Sequence, residues 1–122
     1  MIDTGSDDER ARVLSDLLEF SLPIDELNGR VRALPWGSET DIVSLSVAQA
    51  LDVLSSTLNG RHALREFIWW SELIDGREDV GFEDVAKDDL RLLIHQASTP
   101  ELYQIDEEFL EQWMERLKLR MS

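Results

Sequence analysis

Few side chains in this 122-residue sequence have the chemistry of a catalytic or metal-binding group. The candidates are two histidines, His62 and His95, and the single tyrosine, Tyr103; there is no cysteine. Glu66 follows His62 by four residues, which places both on one face of a helix, but a zinc site needs further ligands from elsewhere. We interpret His62 and Glu66 as a solvated pair and His95 as a histidine at the edge of the core. The sequence therefore predicts a protein that is not an enzyme, with no catalytic residue and no metal.

The known sequence patterns for cofactor and calcium binding are also missing. Neither the Gly-x-Gly-x-x-Gly fingerprint nor the P-loop pattern occurs, and the six glycines are scattered. The acidic pairs Glu78-Asp79, Glu83-Asp84 and Asp88-Asp89 do not follow the ligand spacing of a calcium loop. We expect no cofactor. A hydrolase or metal enzyme would gain support only if His62, His95 and several carboxylates met in one pocket.

Acidic residues dominate the composition, with 26 Asp and Glu against 12 Lys and Arg and a formal charge of −14. Proteins gain affinity for nucleic acid chiefly through Lys and Arg, so direct binding to DNA or RNA is not expected. The same sign disfavours an anionic membrane surface. The sequence has neither an apolar run that could span a bilayer nor a signal-peptide pattern. We expect a cytoplasmic protein, and the lack of cysteine agrees with a reducing compartment.

Most of this charge lies in one part of the chain. Residues 72–115 contain 14 acids and three bases, a balance of −11, whereas the other 78 residues have a balance of −3. If these acids share a side of the molecule, they form a surface that accelerates association with a basic protein; otherwise they are solvated helix faces spread around the fold. The candidate partner-binding residues are one tryptophan and seven acids: Trp69, Asp75, Glu78, Asp79, Glu83, Asp84, Asp88 and Asp89.

Trp69 is included because neighbours on a helix point about 100° apart, so Trp69 and Trp70 cannot both lie at the centre of the core. The partly exposed one is either an anchor for a partner or a tryptophan at the edge of the core.

Helices are the elements that would position these residues. Apolar residues recur every three to four positions, which predicts helices over 7–20, from Pro23, from an N-cap at Ser46 to Asn59-Gly60, and from Arg61 to Gly76. A fifth helix has Val85 among its core positions, and a sixth begins after an N-cap at Asp106.

The loop between the fourth and fifth helices contains two apolar anchors, Val80 and Phe82, which we expect to pack as an extended segment or one helical turn. No convincing alternating strand is present. We predict an all-α fold: a single-domain irregular helical bundle of about five to six helices over residues 7–122, preceded by a flexible tail over residues 1–6.

The run from Trp70 to Glu83 resembles a motif found in a family of small acidic all-helical bacterial proteins. That motif reads Trp-Ala-Asn-x-(Leu/Ile)-Glu-x-Arg-x-Asp-Ile-x-(Phe/Tyr)-Glu, and a Leu-Ala-Asn-Pro-Glu-Leu turn follows it. The matching residues are Trp70, Asp75, Arg77, Asp79, Val80, Phe82 and Glu83. Ser71 and Glu72 depart from Ala-Asn, and Thr99 replaces the asparagine of the turn. The resemblance covers roughly residues 23–117 and is most specific over 70–83.

Some members of this family resemble immunity proteins, which neutralise toxin domains delivered by neighbouring bacteria, including those of contact-dependent growth inhibition. Within the motif, a bidentate pair between Arg77 and Asp75, Asp79 or Glu83 would hold the loop between the fourth and fifth helices. The motif would then mark the fold and not the function.

Two functions of different classes follow. The first is a non-enzymatic immunity protein whose acidic surface binds and blocks a basic toxin domain, with a nuclease as the candidate toxin class. The alternative is a cytosolic helical adaptor or scaffold that binds a partner through an apolar groove containing residues such as Leu73 or Phe82. In that case the charge serves only solubility.

Overall fold

A computed structural model describes residues 4–34 and 41–121 of the chain. The elements are α1 (Thr4–Glu19), α2 (Ile24–Arg32), β1 (Val43–Leu45), α3 (Val47–Leu58), α4 (Leu64–Ile74), β2 (Val80–Phe82), α5 (Lys87–Ala97) and α6 (Glu107–Met121). A 3-10 turn, Asp84–Ala86, joins β2 to α5. The predicted all-α single-domain fold is confirmed. Within the described ranges, no helix is long and apolar enough to cross a membrane.

One continuous core is formed by the apolar stripes of all six helices. α6 packs along α3, while α4 lies against α5 and α2. Trp70 is only 1% exposed, and its indole N–H donates a 2.6 Å hydrogen bond to the carbonyl of Leu17 at the end of α1. This bond satisfies the one polar group of the largest core side chain and joins α4 to α1.

The N-termini of α1 and α4 differ from the predicted ones. α1 begins at Thr4, three residues before the predicted start. The prediction of a flexible tail stays a prediction for residues 1–3, which lie outside the described residues. α4 begins at Leu64, not near Arg61, because Gly60 has a left-handed φ of 86° and the Glu66 carboxylate accepts the Ala63 N–H at 2.7 Å.

The structure contains a small sheet that the sequence did not predict. β1 and β2 pair in parallel, with Val43 opposite Val80 and Leu45 opposite Phe82. Of the two forms expected for the Val80 and Phe82 segment, the extended one is observed. Each strand has only three residues, which is too short to show an alternating pattern in the sequence.

Val85, which we predicted as a core residue, is 56% exposed. It lies in the 3-10 turn before α5, where the buried residue is Ala86 instead.

Phe20 ends α1 in a conformation that an aromatic residue rarely adopts. Its φ is 52°, in the left-handed region, and the Ser21 N–H bonds the Asp16 carbonyl at 3.1 Å, as in a helix stop that normally uses glycine. The ring is buried and stacks on His62, with 3.8 Å between centroids, and on Trp70 at 6.4 Å. Ring packing therefore outweighs the backbone preference at this position.

Two substitutions at Phe20 separate the stabilisation by ring packing from the cost of the left-handed backbone. We expect Phe20→Ala to lower the free energy of unfolding by about 3 kcal/mol, because it removes a buried ring and keeps a side chain at positive φ. Phe20→Gly removes the same ring but tolerates the backbone, so it should be about 1 kcal/mol less destabilising than alanine. Urea unfolding of both variants and the wild type tests this order. A glycine variant no more stable than the alanine variant would contradict it.

Candidate functional site

Asp79, one of the predicted partner contacts, is a buried carboxylate. It is 4% exposed and accepts two 2.9 Å hydrogen bonds from Arg77, through Nε and Nη2. Of the three carboxylates predicted as possible partners of Arg77, the observed one is Asp79. Arg10 of α1 reaches the same carboxylate at 3.9 Å. Asp79 is therefore withdrawn from the candidate contact surface, because it is enclosed and already paired.

The Asp79 backbone also organises the small sheet. Its carbonyl accepts hydrogen bonds from the N–H groups of Ile42 at 2.8 Å and Val43 at 3.2 Å. One residue thus joins α1, the loop after α4 and the start of β1.

Asp89 is a second buried carboxylate among the predicted contacts. It is 4% exposed at the start of α5, and it accepts 2.7 Å bonds from Arg116 and Arg120 of α6. Burial raises the pKa of Asp89, but the hydrogen bonds from Arg120 and Arg116 outweigh it and bring the pKa below its usual 3.8. Asp89 joins α5 to α6 and is likewise withdrawn from the contact surface.

Glu83 and Asp75 are exposed but make hydrogen bonds within the protein. The Glu83 carboxylate accepts the Val47 N–H at 2.8 Å, next to the predicted N-cap Ser46, which accepts the Gln49 N–H at 3.0 Å. Two side chains from distant parts of the sequence therefore cap α3. Asp75 accepts a 3.1 Å bond from the Ser98 hydroxyl.

Glu78, Asp84 and Asp88 are the predicted contacts that remain available. All three are exposed, and within the described part of the chain none of their side chains makes a hydrogen bond or an ion pair. Asp84 and Asp88 line one shallow depression, together with Val85 and the cations Lys87 and Arg120. These carboxylates can meet a partner without breaking an internal bond.

The exposed charge around these residues has one dominant sign. Eleven acidic side chains between residues 72 and 115 are exposed, whereas Lys87 and Arg91 are the exposed bases of that segment. α5 and α6 run antiparallel, because Trp113 bonds Gln96 at one end and Arg120 bonds Asp89 at the other. The acids on these two helices therefore lie on neighbouring elements.

Trp69 is half-buried and packs against the core, while Trp70 is fully buried. This division agrees with the angular separation of adjacent helical residues.

The surroundings predicted for the two histidines differ from those observed. His62 precedes α4 and is half-buried against Phe20, so it is not a solvated helical partner of Glu66. His95 is exposed on α5 and not at the edge of the core. Within the residues that the structure describes, no group of three or more His, Asp and Glu side chains could hold a metal ion.

Leu73, proposed together with Phe82 for an apolar groove, lines a cleft to which Phe82 does not contribute. Leu73 lies in a cleft of about 390 Å³, and four of the six described residues that line it are charged: Arg32, Glu72, Asp75 and Arg77. Phe82 is half-buried, with the Arg91 guanidinium 5.7 Å from its ring centroid.

Comparisons of the chain with protein-family models, curated proteins and solved structures found no match. The resemblance of residues 70–83 to an acidic helical family stays a prediction.

Removing the Asp79 charge should destabilise the fold strongly. We expect Asp79→Asn to lower the free energy of unfolding by about 3 kcal/mol, because it removes the charge from a buried, bidentate ion pair with Arg77. The neighbouring Glu78→Gln is the matched control and should change stability by no more than about 0.5 kcal/mol. Chemical denaturation of both variants measures this difference. Equal effects would contradict the structural role of Asp79.

Asp89 should make stability depend on pH. Its lowered pKa means that it contributes fully above its ordinary pKa of 3.8, and that this contribution disappears as pH falls through the folded-state pKa. The stability gap between the wild type and Asp89→Asn should therefore be large near pH 7 and close toward about pH 2. Urea unfolding across this range measures it, with Asp88→Asn as the exposed control. A gap that stays constant would refute the assignment.

Proposed function

We propose that this chain is a non-enzymatic immunity protein that binds and blocks a basic toxin domain in the cytoplasm. The observation that carries the proposal is the exposed, unpaired state of Glu78, Asp84 and Asp88 in a segment where exposed acids far outnumber exposed bases. The resemblance of residues 70–83 to acidic helical proteins of immunity type supports the same class.

Ion pairs within the protein also affect the charge of this surface. Four arginines are used on two buried carboxylates: Arg10 and Arg77 on Asp79, and Arg116 and Arg120 on Asp89. Arg10 and Arg77 are enclosed, whereas Arg116 and Arg120 bond Asp89 and remain half-exposed. Most acids of residues 72–115 face solvent. A field of one sign steers a basic partner and increases its association rate.

Occlusion is the mechanism that this charge supports. A toxin that acts on nucleic acid needs a basic groove for the phosphate backbone, and an acidic protein competes for that groove. No catalytic group is required, because inhibition follows from occupancy. A nuclease is therefore the toxin class that we propose.

Growth protection is the first test. The expected source of the toxin is a secreted protein encoded next to this chain, and its C-terminal domain is expressed in a bacterial host with and without this chain. We expect the domain alone to stop growth and co-expression to restore it. Failure to restore growth would overturn the immunity proposal.

Association kinetics test the surface. We expect the rate constant for binding this toxin domain to fall steeply with salt, and the triple variant E78Q/D84N/D88N to lower it about tenfold at low salt. The control D8N/E9Q/D25N changes the net charge equally through exposed acids outside residues 72–115. Equal effects of the two triples, or a rate that ignores salt, would refute the proposed surface.

A further inference from the structure

A cleft of about 490 Å³ lies between the α1–α2 connection, α3 and the residues before α4. Its size falls within the roughly 300–1,000 Å³ of small-ligand pockets. The residues that matter in its wall are Glu19, Phe20, Asp52, Ser56, His62 and Glu66. None of them belongs to the acidic segment used above.

A pair of stacked rings forms part of this wall. Phe20 and His62 lie 3.8 Å apart between centroids, with 13° between the ring planes. The His62 imidazole makes no hydrogen bond within the described residues. Burial lowers the pKa of His62, and nearby Arg61 lowers it further, while Glu66 and Asp52 raise it; the net direction is downward from 6.5. The ring is therefore mostly neutral at pH 7, which suits stacking with a planar cation.

Ser56, a mostly buried residue whose hydroxyl has no hydrogen-bond partner in the described part of the chain, also lines this cleft. Ser56 is 4% exposed, and its hydroxyl forms no hydrogen bond within the described part of the chain. Every fully enclosed side-chain polar atom in the described part of the chain has a hydrogen-bond partner. The unbonded Ser56 hydroxyl is therefore not fully enclosed, and Ser56 lines the cleft. A buried polar group in this state can accept a hydrogen bond from a ligand.

The charge of the cleft is negative. Glu19 and Asp52 are exposed and make no ion pair in the described ranges, and Glu66 uses one oxygen to hold the Ala63 N–H. Arg61 is the cation in the wall. Three carboxylates against one guanidinium favour a positively charged ligand.

We infer that this cleft binds the guanidinium group of an arginine side chain presented by the basic protein partner. A guanidinium is planar, carries five N–H donors and remains charged at all relevant pH values, so it can stack on the ring pair while donating to Asp52, Glu66 and the Ser56 hydroxyl. A lysine ammonium offers neither the plane nor the fork of donors. The inference that the ligand comes from a protein rests on the proposed function.

N-methylguanidinium is the probe, and amide NMR of the wild-type chain is the measurement. We expect saturable shifts at Ser56, His62 and their neighbours, with weaker binding of methylammonium. Asp52→Asn should weaken binding of the probe about tenfold, because it removes a charge-assisted bond, whereas Asp25→Asn, an exposed acid outside the cleft wall, should not.

The pH dependence provides a second readout. Protonation of His62 places a cation beside Arg61 in a wall that also holds Glu19, Asp52 and Glu66, so binding of the probe should weaken as pH falls below 6.5. Shifts that do not saturate, equal binding of methylammonium, or binding of acetate in place of the cation would overturn the inference.

The same variant separates this inference from the proposed function. If Asp52→Asn slows dissociation or leaves it unchanged in the complex with the toxin domain, the arginine-anchor inference fails, while growth protection and salt-dependent association still stand. We expect faster dissociation for Asp52→Asn and no change for Asp25→Asn.

Discussion

The buried Asp79 carboxylate is the constraint on which the middle of this fold depends. A charged oxygen pair enclosed by protein must be matched by cations and donors, and Arg77 supplies both through a bidentate bond while Arg10 adds a second charge. The carbonyl of the same residue orients the start of β1. The loop after α4 is therefore held by charge and backbone bonding together, in a part of the chain with only two three-residue strands.

Acidic residues serve two purposes in this protein. Asp79 and Asp89 gather arginines from distant elements and are enclosed, whereas neighbouring Glu78 and Asp88 face solvent. Residues adjacent in sequence thus differ in exposure, because burial depends on which side of the element each occupies. The exposed set gives the molecule its field, while the enclosed set ties α5 to α6 and the α4–β2 loop to α1.

Local signals account for what the sequence could predict. The helices, the cap at Ser46 and the choice of Arg77 as an ion-pair former all depend on residues within a few positions of one another. The remainder depends on distant pairs: Arg10 with Asp79 lies across most of the chain, and Arg120 with Asp89 joins two helices. Residue spacing does not predict such pairs. The sequence therefore could not separate the enclosed acids from the exposed ones among the candidate contacts.

The parallel strand pair has a consequence for how the protein reaches its native state. β1 and β2 pair at positions 37 apart, and α3 and α4 lie between them. Closing so long a loop costs chain entropy before any ladder bond forms, and pairings so distant in sequence slow folding. The arrangement of the exposed acids beside β2 therefore depends on a pairing that the intervening helices α3 and α4 must allow.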